Sequence, residues 1–273
     1  MSRIQATFQA LKAQDRQALI PFITAGDPDL ATTLSLMHQL VEAGADIVEL
    51  GVPFSDPLAD GPTIQRSYDR ALLQQVSLTS VLALVASFRE TNDSTPVVLM
   101  GYMNPIERMG ADTFVARCVE VGVDGVLVVD LPPEECADLT AALHAQNLDT
   151  IFLLTPTTSD ARAQSICQHS SGYVYYVSIK GVTGANTLDV ADVAHHVERL
   201  RQATDLPIAV GFGIKSAADA GAVAAVADGV IVGSALINLL AESAQRSPQQ
   251  VMLEAASLMK AMREGMDTEK SAV

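Results

Sequence analysis

Basic residues are scarce in this chain. Lys and Arg number 17 against 32 Asp and Glu, a formal net charge of −15. Nucleic acids and anionic membrane surfaces are bound through clustered Lys and Arg, so neither is expected as a partner. Cysteine is scarcer still. Cys118, Cys136 and Cys167 are odd in number and far apart, with no CxxC pair, so neither a disulfide framework nor a zinc cluster is implied. The histidines offer no better ligand set. His195 and His196 are adjacent, which on a helix turns them about 100° apart, and we expect no metal site. No run approaches the roughly 18 apolar residues of a membrane span. Met1 to Lys12 lacks the basic start and apolar stretch of a signal peptide. These absences lead us to expect a soluble, cytoplasmic protein. No linker, low-complexity segment or charge run divides the 273 residues. With 49% apolar and 18% charged residues, the chain has the material for one large core.

What is present is an alternation. Short apolar runs bounded by Gly, Pro or Asp recur at 19–24, 46–50, 96–101, 125–129, 149–154, 173–177, 207–211 and 229–232. Between them lie helical patterns. Leu34, Met37, Leu40 and Val41 mark 30–43, and Val81, Leu84, Val85 and Phe88 mark 81–88. Pro-Pro-Glu-Glu at 132–135 predicts a helix over 133–146, and further helices are expected at 190–201 and 217–226. Runs such as Val126–Val129 are continuous rather than alternating, as strands covered on both faces should be. Eight strand–helix units at this length favour a closed (β/α)8 TIM barrel, with a doubly wound open sheet as the alternative. The reading is a single domain over residues 1–273, with a short frayed tail from Asp267 onward.

In a barrel the chemistry sits where strands end. Glu49 lies near the end of the second strand and shares a face with Ile47. A carboxyl there would be partly desolvated, which raises its pKa and suits a general acid or base; the structural alternative is a salt bridge to a neighbouring strand. A long loop rich in Pro and Gly follows and ends in Asp60-Gly61-Pro62. Such length is more often functional than not, although Asp-Gly also marks plain turns. Gly211-Phe212-Gly213 follows the seventh strand. Gly233-Ser234 follows the eighth and opens a helical stretch. Glycines there expose backbone N–H groups, the dipole of a helix N-terminus adds to them, and this pair of loops is the usual phosphate site of the fold. Ser178 to Gly184 forms a fourth junction that could close over a ligand, with Gly184 lending an N–H and Lys180 read mainly as a solvated residue. Phe22, Met100, Tyr102, Leu127, Tyr175 and Phe212 lie at or near strand ends, as pocket lining or as plain core.

These segments resemble the tryptophan synthase α-subunit family. Pro21-Phe-Ile-Thr-Ala-Gly-Asp-Pro28 matches its first-strand motif. The stretch from Ala43 through Val-Glu-Leu-Gly-Val-Pro-Phe-Ser-Asp-Pro-Leu-Ala-Asp-Gly-Pro to Gln65 matches its signature almost unchanged. Tyr102-Met-Asn-Pro-Ile106, Asp130-Leu-Pro-Pro-Glu-Glu135, Gly181-Val-Thr-Gly184, Val210-Gly-Phe-Gly-Ile214 and Ala227 to Ala235 follow in the family's order. The likeness runs from about residue 4 to about residue 262.

The resemblance implies a retro-aldol cleavage of indole-3-glycerol phosphate to indole and glyceraldehyde 3-phosphate, with no metal or organic cofactor in this chain. By resemblance Glu49 is the carboxyl that gives and takes the proton, and Asp60 steadies the cationic indole ring at its N–H. Phe22, Met100, Tyr102, Leu127, Tyr175 and Thr183 would hold the substrate, with Thr183 meeting Asp60 on loop closure. Gly184, Phe212, Gly213, Gly233 and Ser234 would hold the phosphate. Pro53, Phe54, Asp56, Pro57, Asn104, Asp130 and Pro132 would face a β subunit, which carries pyridoxal phosphate and completes an αββα complex. We expect an apolar surround for Glu49, a hydrogen-bonded one for Asp60, and pKa values pushed apart. One feature departs: many members carry Arg directly after the loop-six serine, where this chain has Ile179-Lys180. A stand-alone lyase, a weakly catalytic regulatory subunit and another phosphate-binding barrel are the other readings of the same residues.

Overall fold

In the computed structural model, residues 1–178 and 189–268 are described. Nine parallel strands alternate with helices: β1 (Ala18–Thr24), β2 (Val48–Gly51), β3 (Val97–Gly101), β4 (Gly125–Val128), β5 (Asp149–Thr150), β6 (Leu153–Leu154), β7 (Val174–Val177), β8 (Ile208–Gly211) and β9 (Gly229–Val232). Their order in the sheet is β5-β4-β3-β2-β1-β9-β8-β7-β6. The first and last of this order are one stretch of chain. Asp149–Thr150 pairs with β4, and Leu153–Leu154 pairs with β7. Ile151 N–H donates to Val126 O at 3.0 Å on one side, and Tyr175 N–H to Phe152 O at 3.0 Å on the other. The sheet therefore closes on itself as a TIM barrel, and an open doubly wound sheet is excluded. The expected fifth strand is divided because it changes strand partner half-way: its first half pairs in register with β4 and its second half with β7.

Register sorts the side chains into an inner and an outer face. Ala18, Ile20, Ile47, Val98, Leu127, Ile151, Tyr173, Ala209 and Ile231 fill the interior. The helix Arg3–Ala13, capped by a Ser2–Gln5 box, brings Ile4, Phe8 and Leu11 to this cluster and plugs the N-terminal mouth. Those spacings of four and three put the three side chains on one helix face. A much larger core lies between the outer face of the sheet and the surrounding helices. With its N-terminal end stopped by a helix, the barrel opens at the C-terminal ends of its strands.

Two expectations need correction. The helix after β4 begins at Ala137, not at residue 133. Residues 133–135 form a separate turn, in which Glu135 N–H bonds to Pro132 O at 3.0 Å, so the Pro-Pro-Glu-Glu run serves a turn rather than a helix start. The chain from Asp267 is not all frayed either. The helix Pro248–Thr268 continues through it, and Arg263 pairs with Asp267 at 2.6 Å. Residues 269–273 lie outside the described residues.

Candidate functional site

Strand β2 delivers Glu49 to the barrel interior. It pairs with Phe22 of β1 on one side and Val98 of β3 on the other, and its side chain is fully buried. Its one hydrogen-bond partner among the described residues comes from across the barrel: Tyr173 Oη donates to Oε1 at 2.5 Å. The second carboxylate oxygen, Oε2, is buried with no partner among the described residues. Burial disfavours the charged form, and the Tyr173 hydroxyl only partly offsets this, so the Glu49 pKa is pushed up to about 7. Among the described residues no salt bridge to Lys or Arg quenches it.

Asp60 lies on the loop between β2 and the helix Pro62–Leu73, and side chains from outside the loop fasten it. Tyr102 Oη donates to Asp60 Oδ2 at 2.7 Å and accepts from Ala59 N–H at 3.1 Å. Gln65 Nε2 donates to Asp60 O at 2.8 Å. The Tyr102 ring stacks on Phe54, with centroids 5.0 Å apart. Tyr102 is therefore an anchor of this loop as much as a wall of a pocket. Burial raises the Asp60 pKa, opposed by the Tyr102 hydrogen bond. Burial thus acts on both carboxyls in the same direction. They differ in their surroundings: the Asp60 carboxyl is half-buried and hydrogen-bonded, whereas that of Glu49 is enclosed, with one oxygen unpartnered.

The pocket residues converge on this pair. Gly51 and Met100 are partners in register, and so are Met100 and Leu127. Phe22 and Leu127 are buried, and Met100 and Tyr175 half-buried. The charges of Glu49 and Asp60 both reach the Tyr175 hydroxyl and, with burial, push its pKa up. A Cβ at Gly211 would lie 2.3 Å from Tyr175 Oη, so glycine is required there for the tyrosine to enter.

The glycine turns lie beside this pocket. A Cβ at Gly233 would sit 3.6 Å from Phe22, in ordinary contact. Gly233 precedes the helix Ser234–Ala241, which has no side-chain cap, so its first N–H groups receive no side-chain acceptor. Phe212 and Gly213 both have positive φ, 89° and 80°, and Phe212 is 43% exposed. Thr183, Gly184 and Ile179-Lys180 lie outside the described residues.

This arrangement has close relatives. A profile of the family described as "Tryptophan synthase alpha chain" matches residues 8–267. The chain is 56% identical over 269 residues to the tryptophan synthase alpha chain of an Azoarcus species, covering 98% of each sequence. It is 57% identical over 267 residues to that of Burkholderia pseudomallei, covering 98% of this chain and 97% of the relative. The chain belongs to the tryptophan synthase alpha chain family. The fold agrees: the crystal structure of tryptophan synthase subunit alpha from Legionella pneumophila superposes with a TM-score of 0.89 at 45% identity, covering 98% of this chain and 99% of that one.

On this tryptophan synthase α barrel the loops carrying the expected interface residues lie together at the open end. Phe54 and Pro57 are half-buried, and Asp56 and Asn104 are exposed. Asp130 is exposed and accepts from Met103 N–H at 2.8 Å; Pro132 is half-buried. Pro53 is buried within this chain and offers no free surface. Between them Leu58 stands 91% exposed, an apolar side chain presented to solvent. Among the described residues no group of three or more His, Cys, Asp or Glu could hold a metal, and no single helix is long and apolar enough to cross a membrane. The three cysteines are free and buried.

Two residues of the site escaped the sequence reading. Tyr173 follows from the same alternation as Tyr175, two positions on, but nothing in the sequence says that its hydroxyl meets a carboxyl 124 residues away. Gln65 was only the end of a motif, and its amide proves to fasten the loop that carries Asp60.

Proposed function

We propose that this chain is the lyase subunit that cleaves indole-3-glycerol phosphate to indole and glyceraldehyde 3-phosphate. The observation that carries this reading is Glu49: a carboxyl wholly enclosed by the barrel, one oxygen unpartnered, with a pKa pushed up to about 7. Retro-aldol cleavage needs a proton delivered to indole carbon 3 and another taken from the hydroxyl on the adjacent side-chain carbon. A carboxyl poised near neutral pH does both in turn. Protonated Glu49 gives its proton to carbon 3. As carboxylate it then accepts the hydroxyl proton while the bond between carbon 3 and the side chain breaks. The bonding pair returns to the ring as indole, and the hydroxyl carbon becomes the aldehyde. The ring is cationic in between, and the Asp60 carboxylate, oriented by Tyr102, stabilises that charge from the ring N–H side. Backbone N–H groups at Phe212, Gly213, Gly233 and Ser234 take the phosphate, joined by Gly184, and Phe22, Met100, Leu127 and Tyr175 enclose the indole. Thr183 closes on Asp60 from the sixth loop. Each step is a proton transfer that side chains supply, so the chain needs no cofactor of its own.

The same reading makes the chain a cytoplasmic biosynthetic subunit working with a pyridoxal-phosphate β subunit in an αββα complex. The exposed Leu58, flanked by Asp56 and Pro57 at the open end of the barrel, supports docking there. The test is indole release from indole-3-glycerol phosphate by the purified chain, alone and with its β subunit. Release that is slow alone and rises strongly with the partner supports the reading. Fast release alone favours a stand-alone lyase. Ligand binding without release in either case favours a regulatory subunit. Glu49→Gln should lose turnover, by at least about a thousandfold given the usual worth of acid–base groups acting at two steps, while still binding a phosphate ligand. Retained turnover would remove Glu49 from the mechanism.

A further inference from the structure

Ser178 ends the described chain after β7 and is half-buried. Its hydroxyl donates to Gly211 O at 3.0 Å and to Phe212 O at 3.1 Å, and its N–H also donates to Gly211 O at 3.0 Å. In an extended strand successive carbonyls point to opposite sides. Two successive carbonyls can reach one hydroxyl only where the chain turns between them. That turn is at Phe212, whose φ of 89° is costly for a residue with a side chain.

A consequence follows from peptide geometry. A trans peptide is planar, with its N–H antiparallel to its C=O. Gly211 O and the Phe212 N–H belong to one peptide unit, and Phe212 O and the Gly213 N–H to the next. Drawing both carbonyls to Ser178 therefore turns both N–H groups to the opposite side, a pair of successive donors of the kind that suits an anion. The backbone at Gly213 is uncrowded: a Cβ built there meets nothing within 4 Å. We propose that the Ser178 hydroxyl is a positioning group for phosphate recognition, holding the strained Phe212 turn so that the Phe212 and Gly213 N–H groups face the ligand. The proposal rests on the reading of these glycine turns as the phosphate site and adds the group that orients them. It also ties the start of the sixth loop to the phosphate loop through one side chain.

The test compares glycerol 3-phosphate binding, by titration calorimetry, in the wild type, Ser178→Ala, Ser178→Thr and Gly213→Val. Loss of the hydroxyl should weaken binding about tenfold, the worth of one oriented hydrogen bond. Threonine keeps the donor and should stay within about twofold of the wild type by the same measure. In the presence of the β subunit, Ser178→Ala should raise KM with kcat little changed, and its thermal midpoint should match the wild type. Ser178→Ala binding as tightly as the wild type, or Ser178→Thr binding as weakly as Ser178→Ala, overturns the assignment to Ser178 alone. A wild type that does not bind glycerol 3-phosphate, or a Gly213→Val variant of unchanged affinity, overturns the phosphate site and this proposal with it.

Discussion

Glu49 makes the barrel's stability depend on pH in a definite direction. Its folded pKa of about 7 lies above the ordinary 4.5, so the folded state binds the proton more tightly than the unfolded chain does. The stability this contributes is complete below about pH 4.5 and is lost as pH rises through about 7. A shift of this size corresponds to something on the order of 3 kcal/mol. Glu49→Gln removes the titration, so it should be more stable than the wild type at pH 8 and nearly equal to it at pH 4.5. Urea unfolding at the two pH values reads this directly, and parallel stability curves for the two proteins would deny the burial effect. Tyr173 acts on the same group with the opposite sign. Its hydroxyl favours the carboxylate, so Tyr173→Phe should push the Glu49 pKa further up. The Glu49 limb of the pH profile of kcat should then move to higher pH by roughly half a unit or more, as loss of one hydrogen bond to a charged group implies. An unmoved profile would mean that the bond to Tyr173 is broken when substrate is bound.

The secondary elements were legible in the sequence to different depths. The eighth predicted strand, 229–232, is found as predicted, the fifth is divided in two, and the others shift by a residue or two at their ends. Glycine, proline and aspartate punctuate strands sharply, and a run buried on both faces leaves little choice of register. Helices were less legible. The pattern at 30–43 corresponds to Leu30–Glu42, but the helix Pro62–Leu73 is not among those expected, since its buried residues Ser67, Tyr68 and Ala71 are not all apolar. The carboxyls of the site were visible because alternation and loop length bear on single residues, whereas the Tyr173 contact depends on how β2 and β7 face each other across the closed barrel. The last helix, Pro248–Thr268, shows a further device no local pattern reveals. Arg263, nearly buried, donates to Gln17 O at 2.9 Å, to Asp46 at 3.3 Å and to Asp267 at 2.6 Å. Asp46 in turn accepts from Leu19 N–H at 2.8 Å. One guanidinium thus fastens the end of the chain to the entry of β1. Replacing it with Met leaves the half-buried Asp46 without its ion-pair partner and with only the charge of Arg16 to steady it, which should cost about 3 kcal/mol and lower the thermal midpoint by roughly 6–12 °C. Adding Asp46→Asn to Arg263→Met should return part of that loss, because the stranded charge is gone; a strictly additive double variant would show that the pair does not interact.

At the scale of the whole molecule, the net charge of −15 opposes the phosphate binding proposed above. Catalysis on an anionic substrate usually recruits Lys or Arg, yet the turns at Phe212–Gly213 and Gly233–Ser234, which we propose take the phosphate, present neutral backbone donors. Such donors work at contact distance, where the peptide dipoles are oriented and close. The excess of acidic side chains acts over longer distances and repels an approaching anion. The two effects separate by salt. The Debye length falls from about 30 Å at 0.01 M to about 8 Å at 0.15 M. Salt therefore screens the long-range repulsion while leaving the contact interactions nearly intact. The association rate constant for glycerol 3-phosphate should consequently rise with ionic strength, by about two- to fivefold over that range, with the dissociation rate almost unchanged. A basic pocket would give the opposite slope, because salt would screen attraction. Stopped-flow binding at several salt concentrations distinguishes the two by sign alone. A rate that falls as salt is added would mean that a cationic side chain governs phosphate capture, and Lys180 in the sixth loop would be the residue to replace next.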